Sequence, residues 1–461
     1  MPTKRYPAFK AYDVRGRVPD ELNESMVRNI GHAYAQVVKP RRVVVGHDVR
    51  LSSATLSRAL IEGLNAAGVD VSFIGLCGTE EVYFATFHLG VDGGIMVTAS
   101  HNPVDYNGLK FVREGSRPIS ADTGLKEIEA VLGAIESGEP PRPAARRGTE
   151  QRVETREAYV RHLLGYVDLG TLKPLKVVVN PGNGCAALAL EPLLQKLPFQ
   201  AVRVHWQPDG AFPNGVPNPL LPENRPASVE AIRAQGADLG VAWDGDFDRC
   251  FLFDEEGTFI EGYYIVGLLA AQILKRHPGA KIIHDPRLTW NTLEIVQQAG
   301  GHAVQCKSCH AFIKERMRAE DAVYGGEMSA HHYFREFSYC DSGMIPWMLV
   351  CQAISSTGRS LSQLVGERMR RFPASGEINR KLPDPAGCVA EVRRRYQPDA
   401  VAVDETDGVS VELERWRFNL RMSNTEPVVR LNVESRGDEA LMRSKTDEIL
   451  KVMAELGAKD A

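Results

Sequence analysis

Residues 94–103 read Gly-Ile-Met-Val-Thr-Ala-Ser-His-Asn-Pro, a short apolar run that leads into a polar turn. The run Gly94–Val97 indicates a buried strand, and Asn102-Pro103 supplies turn chemistry. Other apolar runs, rich in β-branched residues, also precede turn-rich loops: Val43–Val45, Leu175–Val179, Leu239–Trp243 and Lys281–Ile283. Together they predict buried strands of parallel sheets.

Helix-like stretches lie between these runs, at Ser53–Ala67, Thr123–Ile135, Pro226–Gln235 and Tyr264–Arg276. Strands that alternate with helices are typical of α/β proteins. The C-terminal part differs, because Val409-Ser-Val-Glu-Leu413 alternates like a strand and a terminal helix is predicted near Glu439–Leu456. We therefore expect an α/β protein that ends in an α+β domain.

The chain of 461 residues is too long for one hydrophobic core, because cores stop growing at about 250–300 residues. The segment Gly138-Glu-Pro-Pro-Arg-Pro-Ala-Ala-Arg-Arg-Gly148 is rich in Pro and charge and predicts a linker. Further breaks are expected near residue 252 and near Phe372–Gly376. The predicted domains are 1–146, 147–252, 253–368 and 369–461.

Composition and charge restrict the classes of function. Hydrophobic residues make up 43% and charged residues 25%, and the formal net charge is -4. The sequence therefore gives no global field that would attract nucleic acid or an anionic membrane, and an anionic substrate needs a local basic site. No run of about 18 apolar residues occurs, and the N-terminus lacks the apolar region of a signal peptide. We expect a cytoplasmic protein with no nucleic-acid or membrane partner.

The eight cysteines are sparse and irregularly spaced, which indicates reduced thiols rather than a disulfide framework. Cys306-Lys-Ser-Cys309-His310 matches the redox C-x-x-C pattern and the haem-attachment pattern C-x-x-C-H. Haem attachment needs an exported protein, and a redox pair usually opens a helix after a thioredoxin-type strand. Neither function is favoured for this segment.

Ser100 lies where the predicted strand Gly94–Val97 emerges into a loop, at the edge where α/β sheets bind ligands. A Ser-His pair could also be a turn with a local hydrogen bond. No G-x-S-x-G elbow surrounds Ser100, which argues against an acyl-transfer hydrolase. A phosphoryl acceptor needs positive charge nearby, and His101, Lys110 and Arg113 are available.

Asp244-Gly-Asp-Phe-Asp-Arg249 follows the predicted strand Leu239–Trp243 and places three carboxylates at alternate positions. Hard oxygen ligands at this spacing suit Mg²⁺. An EF-hand calcium loop is disfavoured, because Arg249 occupies the position that needs Gly and Cys250–Phe253 indicates a strand rather than a helix. A solvated charged turn is the remaining alternative.

Two further segments offer polar groups for a ligand. Gly325-Gly-Glu-Met-Ser-Ala-His-His332 combines two flexible glycines with Glu327, Ser329 and His331, whose side chains can bind vicinal sugar hydroxyls. Arg421-Met-Ser-Asn-Thr-Glu-Pro427 offers a guanidinium, hydroxyls, an amide and backbone donors that suit a dianionic phosphate. In isolation, a plain polar loop and ordinary Asx or Ser/Thr turns explain the two segments equally well.

Taken together, in this order and at these separations, the four segments resemble the α-D-phosphohexomutase superfamily. The resemblance runs from Phe9-Lys-Ala-Tyr-Asp-Val-Arg-Gly16 to Asn432-Val-Glu-Ser-Arg436, nearly the whole chain. Three further stretches are similar to the bacterial phosphomannomutase type: Gly78–His88, Glu261-Gly-Tyr-Tyr264 and Ala330-His-His-Tyr-Phe334. The resemblance implies four domains around a central active-site cleft, each contributing one loop. Three would be related α/β domains with mixed sheets, and the last a smaller C-terminal α+β domain.

The resemblance also implies a role for each matching residue. Four groups would hold Mg²⁺: Ser100 through its phosphate, Asp244, Asp246 and Asp248. Three further residues would act beside Ser100 in catalysis: His101, Lys110 and Arg249. The substrate would be bound by a larger set: Tyr12, Arg15, Arg287, His310, Glu327, Ser329, His331, Arg421, Ser423, Asn424 and Thr425. Many relatives have Lys in place of Arg287, and an Arg there stays charged but cannot shuttle a proton.

The implied reaction interconverts mannose 6-phosphate and mannose 1-phosphate. It would pass through phosphorylated Ser100 and a hexose 1,6-bisphosphate, which serves as both intermediate and activator. The product of such an enzyme feeds the synthesis of GDP-mannose and of polysaccharides. Its partners would be small hexose phosphates, and it would be a monomer or weak homodimer. Glucose phosphates, alone or beside mannose phosphates, are the alternative substrates, because one hydroxyl configuration depends on fine geometry.

Two other classes of function stay open. An apolar predicted strand followed by Asp244-Gly-Asp246 is similar to the motif of aspartyl-phosphate phosphotransferases of the haloacid dehalogenase type. Such enzymes, however, usually have Thr or Val in place of Asp248. A non-catalytic sugar-phosphate sensor would be expected to have lost Ser100 or one of the aspartates, and all of them are present.

Overall fold

The computed structural model describes residues 6–422 and 428–460. Within them the chain forms two compact units. The first unit contains residues 6–259 and 332–358, and the second contains residues 260–331 and 359–460. Each helix in the described part of the chain is too short or too polar to span a lipid bilayer.

The first unit opens with a six-stranded mixed sheet and its helices. The elements are β1 (Val14–Arg17), α1 (Glu24–Val38), β2 (Arg42–His47), α2 (Ser53–Ala66), β3 (Asp70–Leu76), α3 (Thr79–His88), β4 (Gly93–Val97), β5 (Tyr106–Arg113), α4 (Lys126–Glu136) and β6 (Glu150–Arg152). The strand order is β1-β5-β4-β2-β3-β6. Strand β2 is parallel to β3 and β4, whereas β5 is antiparallel to β4 and β1. The loops after β2 and β4 therefore meet at one edge of the sheet.

Both faces of this sheet are covered. Helix α1 packs against both α2 and α4. They cover an apolar cluster that includes these strand residues: Val43, Val45, Ile95 and Val97. The alternate strand residues Val44 and Met96 pack with Val82 and Ala85 of α3. Burial on both faces explains why β2 and β4 are apolar over consecutive positions rather than alternating.

Helix α4 begins three residues later than the sequence predicts. Residues Ala121–Leu125 form a separate turn, in which Thr123 is non-helical and Gly124 has φ +135°. Only glycine reaches that backbone conformation without strain, so the helix cannot continue back through position 124.

The first unit continues with a second mixed sheet. Its elements are α5 (Arg156–Leu164), β7 (Lys176–Asn180), α6 (Ala186–Leu194), β8 (Gln200–Arg203), α7 (Pro226–Gln235), β9 (Leu239–Trp243) and β10 (Cys250–Phe253), followed by β11 (Phe259–Ile260). Strand β7 is parallel to β8 and β9, and β10 is antiparallel to β9. The strand at β10 confirms the prediction that argued against an EF-hand loop.

The second unit begins with helices around parallel strands. The elements are α8 (Gly262–Arg276), β12 (Lys281–His284), α9 (Trp290–Gln298), β13 (His302–Gln305), α10 (His310–Glu320) and β14 (Tyr324–Gly326). Strand β12 is parallel to both β13 and β14. The chain then returns to the first unit with three elements: β15 (His332–Phe334), the antiparallel β16 (Cys340–Asp341) and α11 (Met344–Thr357).

The second unit ends in an antiparallel sheet with two further helices. The elements are α12 (Leu361–Arg371), β17 (Ile378–Lys381), α13 (Pro385–Tyr396), β18 (Ala402–Asp404), β19 (Val409–Glu412), β20 (Trp416–Met422), β21 (Val428–Ser435), α14 (Glu439–Glu455) and β22 (Lys459–Asp460). The order is β18-β19-β20-β21-β17-β22, and each recorded pairing is antiparallel. Mixed sheets followed by this antiparallel sheet confirm the predicted α/β class with an α+β end.

Two segments that the sequence suggests as loops begin inside strands. Gly325 and Gly326 belong to β14 and are buried, and Arg421 belongs to β20. A Cβ on Gly326 would lie 2.5 Å from Cγ2 of Val266 in α8. These glycines are therefore needed for close packing rather than for flexibility.

Candidate active site

Ser100 lies in the loop that follows β4, residues 98–106, here named the serine loop. The residue is buried and has φ +49°, in the left-handed region. Its N–H donates to Thr98 Oγ1 at 2.9 Å, and its Oγ donates to Asp244 Oδ2 at 2.9 Å. A non-glycine residue at positive φ is uncommon, so the surroundings must hold this conformation.

The three aspartates follow β9 in residues 244–249, here named the aspartate loop. Asp244, Asp246 and Asp248 are all buried, and one carboxylate oxygen of each lies within 4.8 Å of the others. Burial, and then the charges of the other two carboxylates, raise the pKa of Asp244 to about 7. Oδ1 of Asp246 has no hydrogen-bond partner among the described residues. Crowded buried carboxylates with an unsatisfied oxygen fit a divalent cation that prefers oxygen ligands.

Lys110, on β5, supplies positive charge to the aspartate loop. Its Nζ lies 2.7 Å from Asp246 Oδ2 and 2.6 Å from Asp248 Oδ2. Burial on its own lowers the pKa of a lysine, but the two carboxylates raise the pKa of Lys110 above its ordinary value. Nε of Arg249 lies 3.7 Å from Asp244 Oδ2 and adds a second cation. Both cations therefore lie near the carboxylate that accepts the Ser100 hydroxyl, where they could bind an anionic group.

His101 lies beside the serine hydroxyl. Its Nδ1 is 3.1 Å from Ser100 Oγ and 3.9 Å from Asp244 Oδ2. Burial, followed by the charges of Arg249 and Arg15, lowers the pKa of His101 well below its ordinary value. The imidazole is therefore neutral near pH 7.

Arg15, on β1, is fixed against the serine loop. Its Nη1 donates to Asn102 Oδ1 at 2.7 Å, and its Nη2 donates to Asp13 Oδ2 at 2.5 Å. Burial lowers the pKa of Arg15, but Asp13, the half-buried Tyr12 and Asp246 lie close enough to raise it overall. The first unit thus brings together nine of the residues that the sequence singles out: Tyr12, Arg15, Ser100, His101, Lys110, Asp244, Asp246, Asp248 and Arg249.

A second group of polar side chains forms in the second unit, around residues 327–331, here named the glutamate loop. Glu327 is buried, with Oε1 3.4 Å from Arg287 Nη2 and Oε2 3.2 Å from His331 Nδ1. Ser329 Oγ lies 3.3 Å from both Arg287 Nη2 and His331 Nδ1. Hydroxyl, imidazole, guanidinium and carboxylate groups therefore lie close together here, and such a group can orient a polyhydroxyl ligand.

The first residues of α10 complete this group. The N–H of Cys309, just before the helix, donates to Glu327 Oε1 at 3.0 Å. The ring of His310 lies 6.4 Å from the ring of His331. Five residues that the sequence singles out are therefore neighbours here: Arg287, His310, Glu327, Ser329 and His331.

Glu377, just before β17, joins three arginines of the second unit. Its carboxylate lies 3.4 Å from Arg287 Nη1 and 3.2 Å from both Arg421 Nη2 and Arg430 Nη1. Burial raises the pKa of a carboxyl group, but the three guanidiniums lower the pKa of Glu377 to about 2. Nε of the buried Arg421 has no hydrogen-bond partner among the described residues, so it can bind an anion. The remaining predicted phosphate ligands lie outside the described residues: Ser423, Asn424 and Thr425.

Four residues of these surroundings are absent from the sequence-based set: Arg50, Thr79, Glu377 and Arg430. One signal was available for the first of them. The segment His47-Asp-Val-Arg50 begins at the last residue of β2, and His284-Asp-Pro-Arg287 begins at the last residue of β12. In each segment, the main-chain N–H of the arginine donates to Oδ1 of the aspartate. The distance is 3.0 Å for Arg50 and 2.9 Å for Arg287. Thr79, Glu377 and Arg430 carry no comparable pattern.

The two clusters of polar side chains, one in each unit, lie in segments that match a known protein family. Residues 7–139, 157–257 and 261–372 match family models described as phosphoglucomutase/phosphomannomutase alpha/beta/alpha domains I, II and III. Residues 377–452 match the C-terminal domain of the same family. These four matches confirm the four-domain organisation expected from the resemblance.

Individual relatives agree over nearly their full length. A phosphomannomutase of Salmonella montevideo is 59% identical over 451 residues, which cover 96% of this chain and 98% of the relative. A protein of Xanthomonas campestris pv. campestris named phosphohexose mutases is 60% identical over 449 residues, which cover 97% and 99%. A solved phosphoglucomutase/phosphomannomutase family protein from Burkholderia thailandensis aligns with TM-score 0.87 and 31% identity, covering 99% of each chain. The chain therefore belongs to the phosphoglucomutase/phosphomannomutase family, the phosphohexomutases.

Proposed function

We propose that the chain is a phosphomannomutase, which interconverts mannose 6-phosphate and mannose 1-phosphate. The observation that carries the proposal is the 2.9 Å hydrogen bond from Ser100 Oγ to Asp244, at the edge of three buried carboxylates. The name of the 59%-identical relative from Salmonella montevideo supports the choice of mannose. Glucose phosphates are the second candidate substrates, because the family models name both sugars' mutases.

In the proposed cycle, phosphorylated Ser100 gives its phosphoryl group to the free hydroxyl of a hexose monophosphate. A P–O bond to the sugar forms while the P–O bond to Ser100 Oγ breaks, and the sugar's hydroxyl proton is transferred to Ser100 or a neighbouring base. The product is a hexose 1,6-bisphosphate. After turning over in the site, it returns its other phosphoryl group to Ser100, so the enzyme is regenerated.

Three groups of this chain act on the transferring phosphate. Lys110 and Arg249 supply cations beside the aspartate loop, which suits a transition state whose charge is spread over phosphoryl oxygens. The neutral imidazole of His101, 3.1 Å from Ser100 Oγ, is placed to exchange a proton with that oxygen. Arg15 holds the neighbouring Asn102 side chain.

We also propose Mg²⁺ as the cation of the aspartate loop. Asp244, Asp246 and Asp248 would hold it together with an oxygen of the serine phosphate, and the unsatisfied Oδ1 of Asp246 supports this assignment. When bound, Mg²⁺ neutralises charge on the phosphoryl group and lowers the cost of its transfer.

The second unit would bind the sugar and the phosphate that is not reacting. Glu327, Ser329 and His331 present groups for sugar hydroxyls, with His310 and Arg287 beside them. Tyr12 is proposed to contact the substrate from the first unit. The distal phosphate would be held by four residues: Arg421, Ser423, Asn424 and Thr425.

The proposal extends to the setting of the enzyme. Mannose 1-phosphate made in this way would supply GDP-mannose and polysaccharide synthesis in the cytoplasm. The enzyme would act as a monomer or weak homodimer, with domains bounded near residues 146, 252 and 368.

A coupled assay of mannose 1-phosphate and glucose 1-phosphate, with hexose 1,6-bisphosphate and Mg²⁺ present, tests this function. We expect turnover of mannose 1-phosphate, and we expect Ser100→Ala to lower kcat by more than roughly 10³-fold, because the phosphoryl carrier is gone. Ser137→Ala, at an exposed serine beyond α4, is the matched control and should retain activity.

The outcomes separate the alternatives. Full activity of Ser100→Ala would refute the proposed carrier, and faster turnover of glucose 1-phosphate would make glucose the main substrate. Labelled phosphoenzyme that is cleaved by hydroxylamine would identify an aspartyl phosphate instead of phosphoserine. No turnover of either sugar by wild type, with bisphosphate present, would indicate a non-catalytic sensor.

A further inference from the structure

Arg50, which follows β2, lies buried against the serine loop with 2% of its surface exposed. Within the described part of the chain, its guanidinium donates four hydrogen bonds, all to main-chain carbonyl oxygens of that loop. Nη1 donates to the carbonyls of Pro103 and Tyr106 at 2.7 Å and 2.9 Å. Nη2 donates to the carbonyls of Ser100 and Asn102 at 3.0 Å and 2.6 Å.

These bonds use the geometry of a guanidinium, which is planar and has donors pointing in several fixed directions. A lysine ammonium in the same place would keep the charge but has only three donors around one atom. Some of the four carbonyls would then lose their donor, and at the buried Ser100 an unpaired carbonyl is unfavourable. The role of Arg50 therefore depends on its shape as well as its charge.

The arginine is itself held in place. The main-chain N–H of Arg50 donates to Asp48 Oδ1 at 3.0 Å, and Ser53 Oγ donates to the same oxygen at 2.5 Å. The ring of the buried Phe212 lies 5.5 Å from the Arg50 Cζ. Asp48 is also buried. A fixed guanidinium can impose its position on a loop, whereas a mobile one cannot.

The second unit has a similar arginine after a strand, Arg287 after β12, but this arginine has different partners. The serine loop follows β4, the parallel neighbour of β2, and the glutamate loop follows β14, the parallel neighbour of β12. Arg287 follows β12 in the same His-Asp-x-Arg pattern, and its guanidinium reaches side chains of the glutamate loop. Among the described residues, the guanidinium of Arg50 instead donates its hydrogen bonds to main-chain carbonyl oxygens of the serine loop. In both units, an arginine that follows one strand therefore contacts the loop that follows the parallel neighbouring strand.

We propose that Arg50 is a positioning residue for phosphoryl transfer, which fixes the Ser100 main chain so that the phosphoserine faces the sugar hydroxyl. It does not touch the reacting oxygen, and it acts through the Ser100 carbonyl on the left-handed backbone of that residue. The inference rests on the proposed function of Ser100 as phosphoryl carrier. Misplacement of a reacting group by about 1 Å can cost about 10²-fold in rate.

The test uses the full-length protein labelled on Ser100 with ³²P from glucose 1,6-bisphosphate and chased with mannose 1-phosphate. Label in sugar phosphates and label in inorganic phosphate are counted separately over time. For Arg50→Lys we expect transfer to the sugar to fall about 10²-fold, with KM changed by less than about threefold, because the sugar-binding groups are untouched. The fraction of label lost to water should rise by about tenfold, since hydrolysis has no demand for the sugar's alignment.

Arg58→Lys, on α2, is the matched control, because Arg58 makes an exposed ion pair with Glu150. It should partition label as wild type does. The partition is measured on labelled molecules only, so a lower fraction of folded enzyme cannot imitate the effect.

An unchanged partition in Arg50→Lys would overturn the proposal while leaving the phosphoserine assignment intact. Absence of label on wild-type Ser100 would instead remove the proposed function, and this inference with it. If Arg50→Lys does not fold, Phe212→Leu decides: increased loss of label to water supports the proposal, and an unchanged partition overturns it.

Discussion

The carbonyl oxygen of Ser100 is confined by its contacts. Nη2 of Arg50 donates to it at 3.0 Å, and a Cβ built on Gly245 would lie 2.5 Å from it. The aspartate loop therefore approaches the serine loop main chain to main chain. Glycine is required at position 245 for this close approach rather than for an unusual backbone angle.

We predict that Gly245→Ala lowers kcat by about tenfold or more and destabilises the fold by roughly 1–3 kcal/mol, because the added methyl group must push the two loops apart. Steady-state kinetics and urea unfolding measure the two effects. Gly133→Ala in α4 is the control, since its nearest neighbour, Tyr6 Cε2, is 3.9 Å away. Gly245→Ala with wild-type kcat would show that the loops tolerate separation.

At the scale of elements, the N-terminus of α3 supports the aspartate loop. The Thr79 N–H donates to the Asp246 carbonyl at 3.1 Å, and its hydroxyl donates to Asp246 Oδ2. The partial positive charge of a helix N-terminus favours the nearby carboxylates. The next residue, Glu80, accepts from Gly343 N–H at 2.5 Å and Met344 N–H at 3.3 Å, where α11 begins. The N-terminus of α3 thus contacts both the aspartate loop and the N-terminus of α11.

We predict that Thr79→Val raises the Mg²⁺ concentration needed for half-maximal activity by about 10-fold or more, because groups that orient metal ligands typically carry 10–100-fold in affinity or activity. Valine keeps the shape of threonine and removes only the hydroxyl. Activity is measured across a Mg²⁺ titration, and Thr79→Ser, which retains the hydroxyl, should behave like wild type. Equal Mg²⁺ requirements for Val and Ser variants would contradict the role.

At the scale of the molecule, Glu377 links parts of the second unit that match different family domains. Arg287 lies in the match to domain III, and Arg421 and Arg430 lie in the match to the C-terminal domain. All three guanidiniums contact the Glu377 carboxylate. A single partly buried carboxylate therefore joins two domains inside one compact unit.

The pKa of Glu377, about 2, lies below the value of about 4.3 for an unfolded chain, so its ionisation stabilises the folded state. The contribution is present above pH 4.3 and is lost as the pH falls toward 2. We predict that Glu377→Gln costs roughly 3 kcal/mol at pH 7 and progressively less between pH 5 and pH 3. Urea unfolding followed by circular dichroism at several pH values measures the difference, and a gap that does not change with pH would contradict it.

The sequence predicts much of this molecule because its buried strands are apolar and end in polar loops. Ser100 and the three aspartates follow such strands directly, and the structure brings them together. Arg50 was missed because its partners are carbonyl oxygens about 50 positions away, which leave no mark on residue type. Glu377 and Arg430 were missed for a related reason, since only the pairing of β17, β20 and β21 makes them neighbours of Arg421.

The bonds that Arg50 makes have a consequence for directed evolution. Because all four end on main-chain oxygens, they do not depend on which side chains the serine loop carries. Val104 and Asp105 lie inside the loop, supply no carbonyl to Arg50, and the side chain of Val104 is half exposed. A library randomised at these two positions should leave the main chain of Ser100 in place, so the side chains of the serine loop can be varied without moving Ser100.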